Sequence, residues 1–244
     1  MYRYMKQIKQ FVLVLVTVLL SSSAAFAIPV LQLGIAGGSY NTGTQTIIAP
    51  GNVFSLYAYL NPNASNVLGD TYYLSMAVGP GYSGSGSLGS FLFNGSTIHV
   101  PTDMIYGVPP LESDLAASDP GDLPAHSIFP TYFAERAFTY LATPQSALFN
   151  TADNPSWGPQ TGSGMYYQRF DLDITNLAPG YVIHFDLYNS ALKGRSTVDV
   201  DVTQFAPFSH DAQSRPATTV PEPASLLLLG AGLTAIGLLR RFRK

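Results

Sequence analysis

Hydrophobic and polar residues alternate with a period of two along the middle of the chain. Residues 53–60 and 71–78 each place apolar side chains at every second position. Successive side chains of a β-strand point to opposite faces, so this pattern predicts strands with one buried face. Residues 91–100 carry the same signal around Asn94 and Gly95, which predicts a hairpin of two short strands.

The second half of the chain continues the pattern in residues 166–174, 181–188 and 197–202. A Pro-Gly turn and short links join these segments, which predicts an antiparallel meander with one face in solvent. His184 and Asp186 fall on the predicted solvent face of the middle segment, so His184 is expected to be a surface histidine.

These segments predict an all-β fold: a single antiparallel β-sandwich of the jelly-roll type, with long irregular loops. No part of the body shows helical periodicity over ten residues, and residues 134–141 favour a strand. A β-barrel is the alternative. The domain boundaries follow from the pattern: signal peptide 1–27, β domain 28–208, polar linker 209–219, and a C-terminal sorting segment 220–244.

The N-terminal segment has the features of a secretory signal peptide. Three basic residues precede an apolar run over residues 11–20, and Ala25 and Ala27 form an Ala-x-Ala motif just before Ile28. This order predicts export and removal of the signal helix by signal peptidase before Ile28. A retained N-terminal membrane helix is the alternative.

The C-terminal segment combines a stiff tripeptide, an apolar helix and a basic end. Residues 224–239 carry no charge, and a helix of this length spans about 24 Å, close to the bilayer core of about 30 Å. Pro221 and Pro223 hold Glu222 in an extended segment that an enzyme can read at low entropic cost. The predicted sorting residues are Val220, Pro221, Glu222, Pro223, Arg240, Arg241, Arg243 and Lys244.

This tail resembles the PEP-CTERM family of sorting signals, because the tripeptide, the apolar run and the basic cluster occur in that order. The resemblance implies an exported protein of a Gram-negative bacterium that makes extracellular polysaccharide. It also implies processing by an exosortase near Pro-Glu-Pro, followed by release or attachment to the cell surface. An ordinary membrane anchor that is never cut is the alternative. Residues 201–212 also resemble the end of the choice-of-anchor group of exported bacterial proteins, which transfers no catalytic residue.

Composition narrows the function classes. The body between the two ends holds five basic and fourteen acidic residues, a net charge of −9, which disfavours nucleic acid as a partner. The chain has no cysteine, so disulfides, thiolate zinc sites and thiol nucleophiles are excluded.

No catalytic motif is present. The four histidines lack a two-histidine zinc spacing, and no Gly-x-Ser-x-Gly sequence occurs. We therefore predict a non-enzymatic protein with no catalytic residue and no confident metal site. A secreted hydrolase with a pair of carboxylates stays as the least favoured alternative.

Two candidate binding sites stand out in the body. Asp114, Asp119 and Asp122 crowd one loop and could hold calcium, although a solvated acidic loop explains them as well. Tyr73, Trp157 and Tyr167 could stack on sugar rings, although packing under the long loops is the competing explanation. The chain is thus expected to be a cell-surface or matrix protein associated with polysaccharide, with a carbohydrate- or calcium-binding module as the alternative.

Overall fold

The computed structural model describes residues 28–110, 128–192 and 200–216. The predicted signal peptide with Ala25 and Ala27, the three aspartates of the candidate calcium loop and the predicted sorting segment 220–244 lie outside these ranges. Within them, no helix is both long and apolar enough to span a bilayer.

The described residues form fourteen strands and one 3₁₀ turn, Phe208–His210, which confirms the all-β prediction. In chain order the strands are β1 Leu31–Ile35, β2 Ser39–Asn41, β3 Thr46–Ile48, β4 Val53–Leu60, β5 Tyr72–Gly79, β6 Ser90–Phe93, β7 Ser96–His99, β8 Ile105–Gly107, β9 Thr131–Phe138, β10 Gln145–Ala147, β11 Gly164–Asp173, β12 Val182–Leu192, β13 Val200–Phe205 and β14 Asp211–Gln213.

These strands form two sheets. The first sheet has the order β1-β4-β11-β6-β7, with β10 paired to β11. The second has the order β2-β3-β14-β12-β5-β9-β8, with β13 paired to β12. One pair, β3 with β14, is parallel, so the prediction of a purely antiparallel fold is corrected to a mixed second sheet. Parallel neighbours need a long crossover, and here the whole domain connects the two strands.

The two sheets pack their inner faces against each other around one core. Alternate residues of β4 and β11 meet alternate residues of β5 and β12 in this core. Phe54 on the first sheet contacts Phe185 on the second edge to face, with ring centroids 6.1 Å apart. Because the buried side chains come from every second position, the period-two pattern of the sequence has its physical origin in this layer.

The predicted hairpin at Asn94 and Gly95 is confirmed. It joins β6 to β7, and both turn residues have positive φ, 49° and 79°. The Asn-Gly pair supplies this geometry at low cost, because Asn and Gly tolerate the left-handed region best.

The predicted meander is confirmed in one pairing and wrong in the other: β12 pairs antiparallel with β13, but β11 does not pair with β12. Strand β11 pairs with β4 in the first sheet, whereas β12 pairs with β5 in the second. The Pro-Gly link between β11 and β12 therefore carries the chain from one layer to the other. An amphipathic strand can bury its apolar face from either layer, so the pattern did not distinguish the two arrangements.

The folded domain continues past residue 208, the predicted start of the linker. Strand β14 pairs with both β3 and β12. Beyond it, the Ser214 amide donates to the Ile183 carbonyl, and the Ser214 hydroxyl accepts from the Ile183 amide, each at 2.9 Å. Residues 209–214 therefore belong to the β domain and not to a linker.

Candidate functional site

A polar row crosses the outer face of the second sheet. Asp186 on β12 lies opposite Ser75 on β5, and Ser75 lies opposite Glu135 on β9. On the other side, β12 pairs with β14 so that Phe185 faces Ala212, which places Asp186 beside Asp211. Directly opposed residues of antiparallel strands share a face. The sheet thus aligns four polar side chains that lie far apart in sequence.

His184, Asp186 and Asp211 form the centre of this row and are called the buried cluster below. The His184 Nε2 atom lies 3.4 Å from Asp186 Oδ1 and 3.9 Å from Asp211 Oδ2. One ligand-type atom from each of the three residues lies within 4.8 Å of the others. Each of the three residues is only 3% exposed. The expectation of a surface histidine is therefore wrong, because the outer face of this sheet is covered at His184.

Burial perturbs the ionisation of the Asp211 carboxyl in this cluster. Burial, and then the charge of Asp186, raise the pKa of the Asp211 carboxyl well above its usual range. The His184 Nε2 atom faces this carboxylate from 3.9 Å. A buried carboxylate is unstable in its charged form unless hydrogen-bond donors, a cation or a proton compensate it.

Ser75 completes the row beside Asp186. Ser75 is fully buried, and its hydroxyl has no hydrogen-bond partner in the described residues. Leu74 and Met76, its neighbours on β5, point into the core, so Ser75 points to the outer face. A buried hydroxyl normally forms a hydrogen bond, so the Ser75 hydroxyl can bond a species that is held beside Asp186.

Farther along the same face, the Tyr188 hydroxyl donates a hydrogen bond to Glu135. The ring of Tyr188 stacks on Tyr73, with centroids 5.7 Å apart and an interplanar angle of 11°. Glu135 also lines a cavity of about 280 Å³ at the β8–β9 edge, together with Asp103 and Arg136. Tyr73, one of the three predicted sugar-stacking residues, thus lies on the second sheet and packs against Tyr188.

The outer face of the first sheet carries a separate aromatic surface, defined as Tyr57, Tyr59, Phe149, Trp157 and Tyr167. The rings contact in series, with centroid distances between 5.3 and 6.1 Å. Trp157 is 44% exposed, whereas Tyr59 is fully buried beneath its neighbours. The structure therefore places Tyr167 and Trp157 on one surface and Tyr73 on the opposite sheet.

Gln32 positions the loop that carries Phe149 and Trp157. This fully buried side chain donates from Nε2 to the Phe149 carbonyl at 2.8 Å. Its Oε1 accepts from the Thr151 amide at 3.0 Å and from the Thr151 hydroxyl at 3.2 Å. Gln32 therefore ties β1 to the loop and fixes Phe149 under Trp157.

Polar residues at the end of the domain form a hydrogen-bonded relay. His210 Nε2 lies 2.9 Å from Asn150 Oδ1, and His210 Nδ1 lies 2.8 Å from the Ser209 hydroxyl. Asn150 Oδ1 also accepts from the amides of Ala152 and Asp153, so His210 Nε2 must be the donor. Burial lowers the pKa of His210 from 6.5 to about 4, which keeps the ring neutral. Asp211, although next in sequence, faces the buried cluster and takes no part in the relay.

Comparison with known proteins gives one result. Residues 219–244 match the family model of the PEP-CTERM protein-sorting motif. The chain carries a PEP-CTERM sorting signal. This signal implies export, membrane anchoring before sorting to the cell surface, and processing by an exosortase. Neither the curated proteins nor the solved structures include a match to the chain.

The motif match covers the predicted sorting residues, including Glu222, but none of the predicted body sites. The sequence does not reveal the buried cluster, because alternation predicts a solvent-facing position for His184 and Asp186. One signal was available: two polar residues at alternate positions interrupt the apolar strand Val182–Leu192. Their partner Asp211 cannot be paired with them from sequence, since it falls in the predicted linker 209–219.

Proposed function

We propose that this PEP-CTERM protein is a non-enzymatic cell-surface or matrix protein of a Gram-negative bacterium, associated with extracellular polysaccharide. In this proposal a jelly-roll-like β-sandwich is the functional body, and an exosortase delivers it to the surface. The observation that carries the proposal is the sorting motif at residues 219–244. Only five residues, 214–218, separate β14, the last strand that the structure describes, from that motif.

This short separation gives the proposal a physical rationale. Five residues span at most about 18 Å when fully extended. The β domain would then sit close to the membrane surface until the tail is cut, and cutting would free it. Export through the N-terminal signal and removal of the C-terminal helix would leave the β domain as the mature protein.

Replacement of Glu222 in the native cell tests this proposal. Glu222→Ala should leave the β domain folded but accumulate the precursor in the inner-membrane fraction. Asp173→Ala, which changes an acidic residue in the body, is the matched control and should sort normally. If the Glu222 variant reached the surface as efficiently as the parent protein, processing at the motif would not be required.

The aromatic surface supports a second candidate function, binding of glycans. Aromatic rings stack on the apolar faces of sugars, and half-exposed rings such as Trp157 are suited to this contact. The polar groups of Ser55, Arg169 and Asp171 lie next to the rings on the same sheet and can bond sugar hydroxyls. Arg169 Nη2 lies 2.8 Å from Asp171 Oδ1. This ion pair orients both side chains before a sugar binds.

Pull-down with the polysaccharide of the native cell distinguishes the two candidates. If the surface binds glycans, Trp157→Ala and Tyr167→Ala should each weaken retention at least several-fold. Tyr106→Ala is the control, because this tyrosine is 47% exposed on the other sheet. Equal retention of all three variants would argue against glycan binding at the aromatic surface and leave the sorting proposal intact.

A further inference from the structure

We propose that the buried cluster of His184, Asp186 and Asp211 binds one divalent transition-metal cation, of the Zn²⁺ or Mn²⁺ class. This site is distinct from the acidic loop in which the sequence suggested calcium. It also lies on the opposite layer from the aromatic surface. The proposal does not depend on the sorting route or on glycan binding.

The spacing of the ligand atoms fits a metal centre. Zinc bonds of about 2.0–2.1 Å in a tetrahedron place neighbouring ligand atoms about 3.3–3.4 Å apart. His184 Nε2 and Asp186 Oδ1 are already 3.4 Å apart. Asp211 Oδ2, at 3.9 Å from the same nitrogen, needs to move by about half an ångström to reach the zinc spacing.

Ser75 supplies an independent indication of a bound species. Its hydroxyl is buried without a hydrogen-bond partner in the described residues, and it lies directly across from Asp186 on the neighbouring strand. The β-carbons of such a pair are about 4.5–5.5 Å apart, so the hydroxyl is directed at the same space as the cluster. A cation, or a water molecule bound to it, would satisfy this hydroxyl.

The chemistry of the donors selects the class of cation. Calcium and magnesium prefer shells made entirely of oxygen, whereas an imidazole ligand suits zinc, copper, iron and nickel, and carboxylate ligands also suit manganese. One imidazole, two carboxylates and a hydroxyl form a mixed nitrogen and oxygen set without sulfur. A divalent cation would also neutralise the two carboxylates that the sheet places side by side.

Such an ion would connect the end of the domain to its centre. Asp211 belongs to β14, the last described strand before the sorting motif, and its two partners belong to the central strand β12. A metal bond across this pair would hold β14 in the sheet after the tail is cut. The expected role is structural, because the site is buried and all of its donors come from adjacent strands.

Metal analysis of the full-length protein in detergent tests the proposal. After treatment with chelator and addition of Zn²⁺, we expect about one zinc per chain by elemental analysis and a Tm at least about 5 °C higher. Mn²⁺ should act in the same direction, and Ca²⁺ should have little effect. A folded protein that retains neither transition metal, or that only Ca²⁺ stabilises, would overturn the proposal.

Substitutions separate a metal ligand from a simple buried ion pair. Asp211→Asn should abolish the zinc-induced rise in Tm, yet leave the Tm in chelator unchanged or higher, because a buried carboxylate is removed. If Asp211 only forms an ion pair with His184, Asp211→Asn should lower the Tm both in zinc and in chelator. That result would overturn the proposal. Ser75→Ala, which is a milder change, should keep the fold and weaken zinc binding several-fold.

The exposed pair of His99 and Asp103 provides the matched control. It places the same two residue types 2.8 Å apart on the surface. Asp103→Asn should bind zinc with the parent stoichiometry and show the parent shift in Tm. If Asp103→Asn instead removed the bound zinc, the metal would be at the surface pair, and the buried cluster would not be its site.

Discussion

Gly89→Ala adds only one methyl group, yet it should lower the free energy of unfolding strongly. Gly89 has a φ of +85°, and a methyl group added there would overlap the Asn176 carbonyl oxygen. That oxygen accepts a hydrogen bond from the Ser90 amide at 3.1 Å, and the Ala178 amide donates to the Leu88 carbonyl at 2.7 Å. Gly89→Ala must therefore push apart the two segments that these hydrogen bonds join.

The magnitude follows from two separate costs. A left-handed backbone costs a non-glycine residue about 1–2 kcal/mol. Loss of the two hydrogen bonds adds about 0.5–1.5 kcal/mol for each. Gly89→Ala should therefore lower the free energy of unfolding by about 2–5 kcal/mol, a large part of the total of about 5–15 kcal/mol for a typical domain.

Gly95 isolates the contribution of the steric clash. It has a similar φ of +79°, but no atom lies within 4 Å of an added methyl group. Gly95→Ala should therefore cost only the backbone term of about 1–2 kcal/mol. Urea unfolding of the purified protein, followed by far-UV circular dichroism, measures both variants. Equal losses of stability in the two variants would refute the reasoning from the Asn176 contact.

Three further predictions concern the relay, the loop and the surface. Because the pKa of His210 falls from 6.5 to about 4 in the folded state, stability should be full above pH 6.5 and decline as the pH falls towards 4. The free energy of unfolding lost in this way is at most about 3 kcal/mol. In His210→Gln, the urea midpoint should not show this part of the pH dependence. A pH profile identical to that of the parent protein would contradict the prediction. Gln32→Leu should cost about 2–4 kcal/mol and shift the fluorescence of Trp157 to the red, because the loop loses its buried hydrogen bonds; an unshifted spectrum would show that other contacts position the loop. Arg169→Ala should leave the urea midpoint unchanged, because its ion pair is exposed, and a clear drop would show that the pair is structural.

Local features of the fold were predictable from sequence because their causes are local. The hairpin at Asn94 and Gly95 follows from the turn chemistry of two adjacent residues. The strands β4, β5 and β12 follow from the alternation of their own side chains. The parallel pairing of β14 with β3 has no such local cause, because its partner lies at the other end of the domain. The strand is also only three residues long.

The candidate site shows a second limit of periodicity. Alternation correctly placed His184 and Asp186 on the face opposite the core residues. It could not show that this face is also buried, because burial there depends on the packing of distant segments. The same limit applies to Tyr73, which the pattern placed outward and which the structure packs against Tyr188.

Intact mass spectrometry of the mature protein from its native cell tests the central claim most directly. Export and sorting predict a mature chain that begins at Ile28 and lacks the apolar helix over residues 224–239. Cell fractionation should find this chain at the surface or in the medium. A mature mass that still includes residues 224–244 would contradict exosortase processing and leave only a membrane anchor.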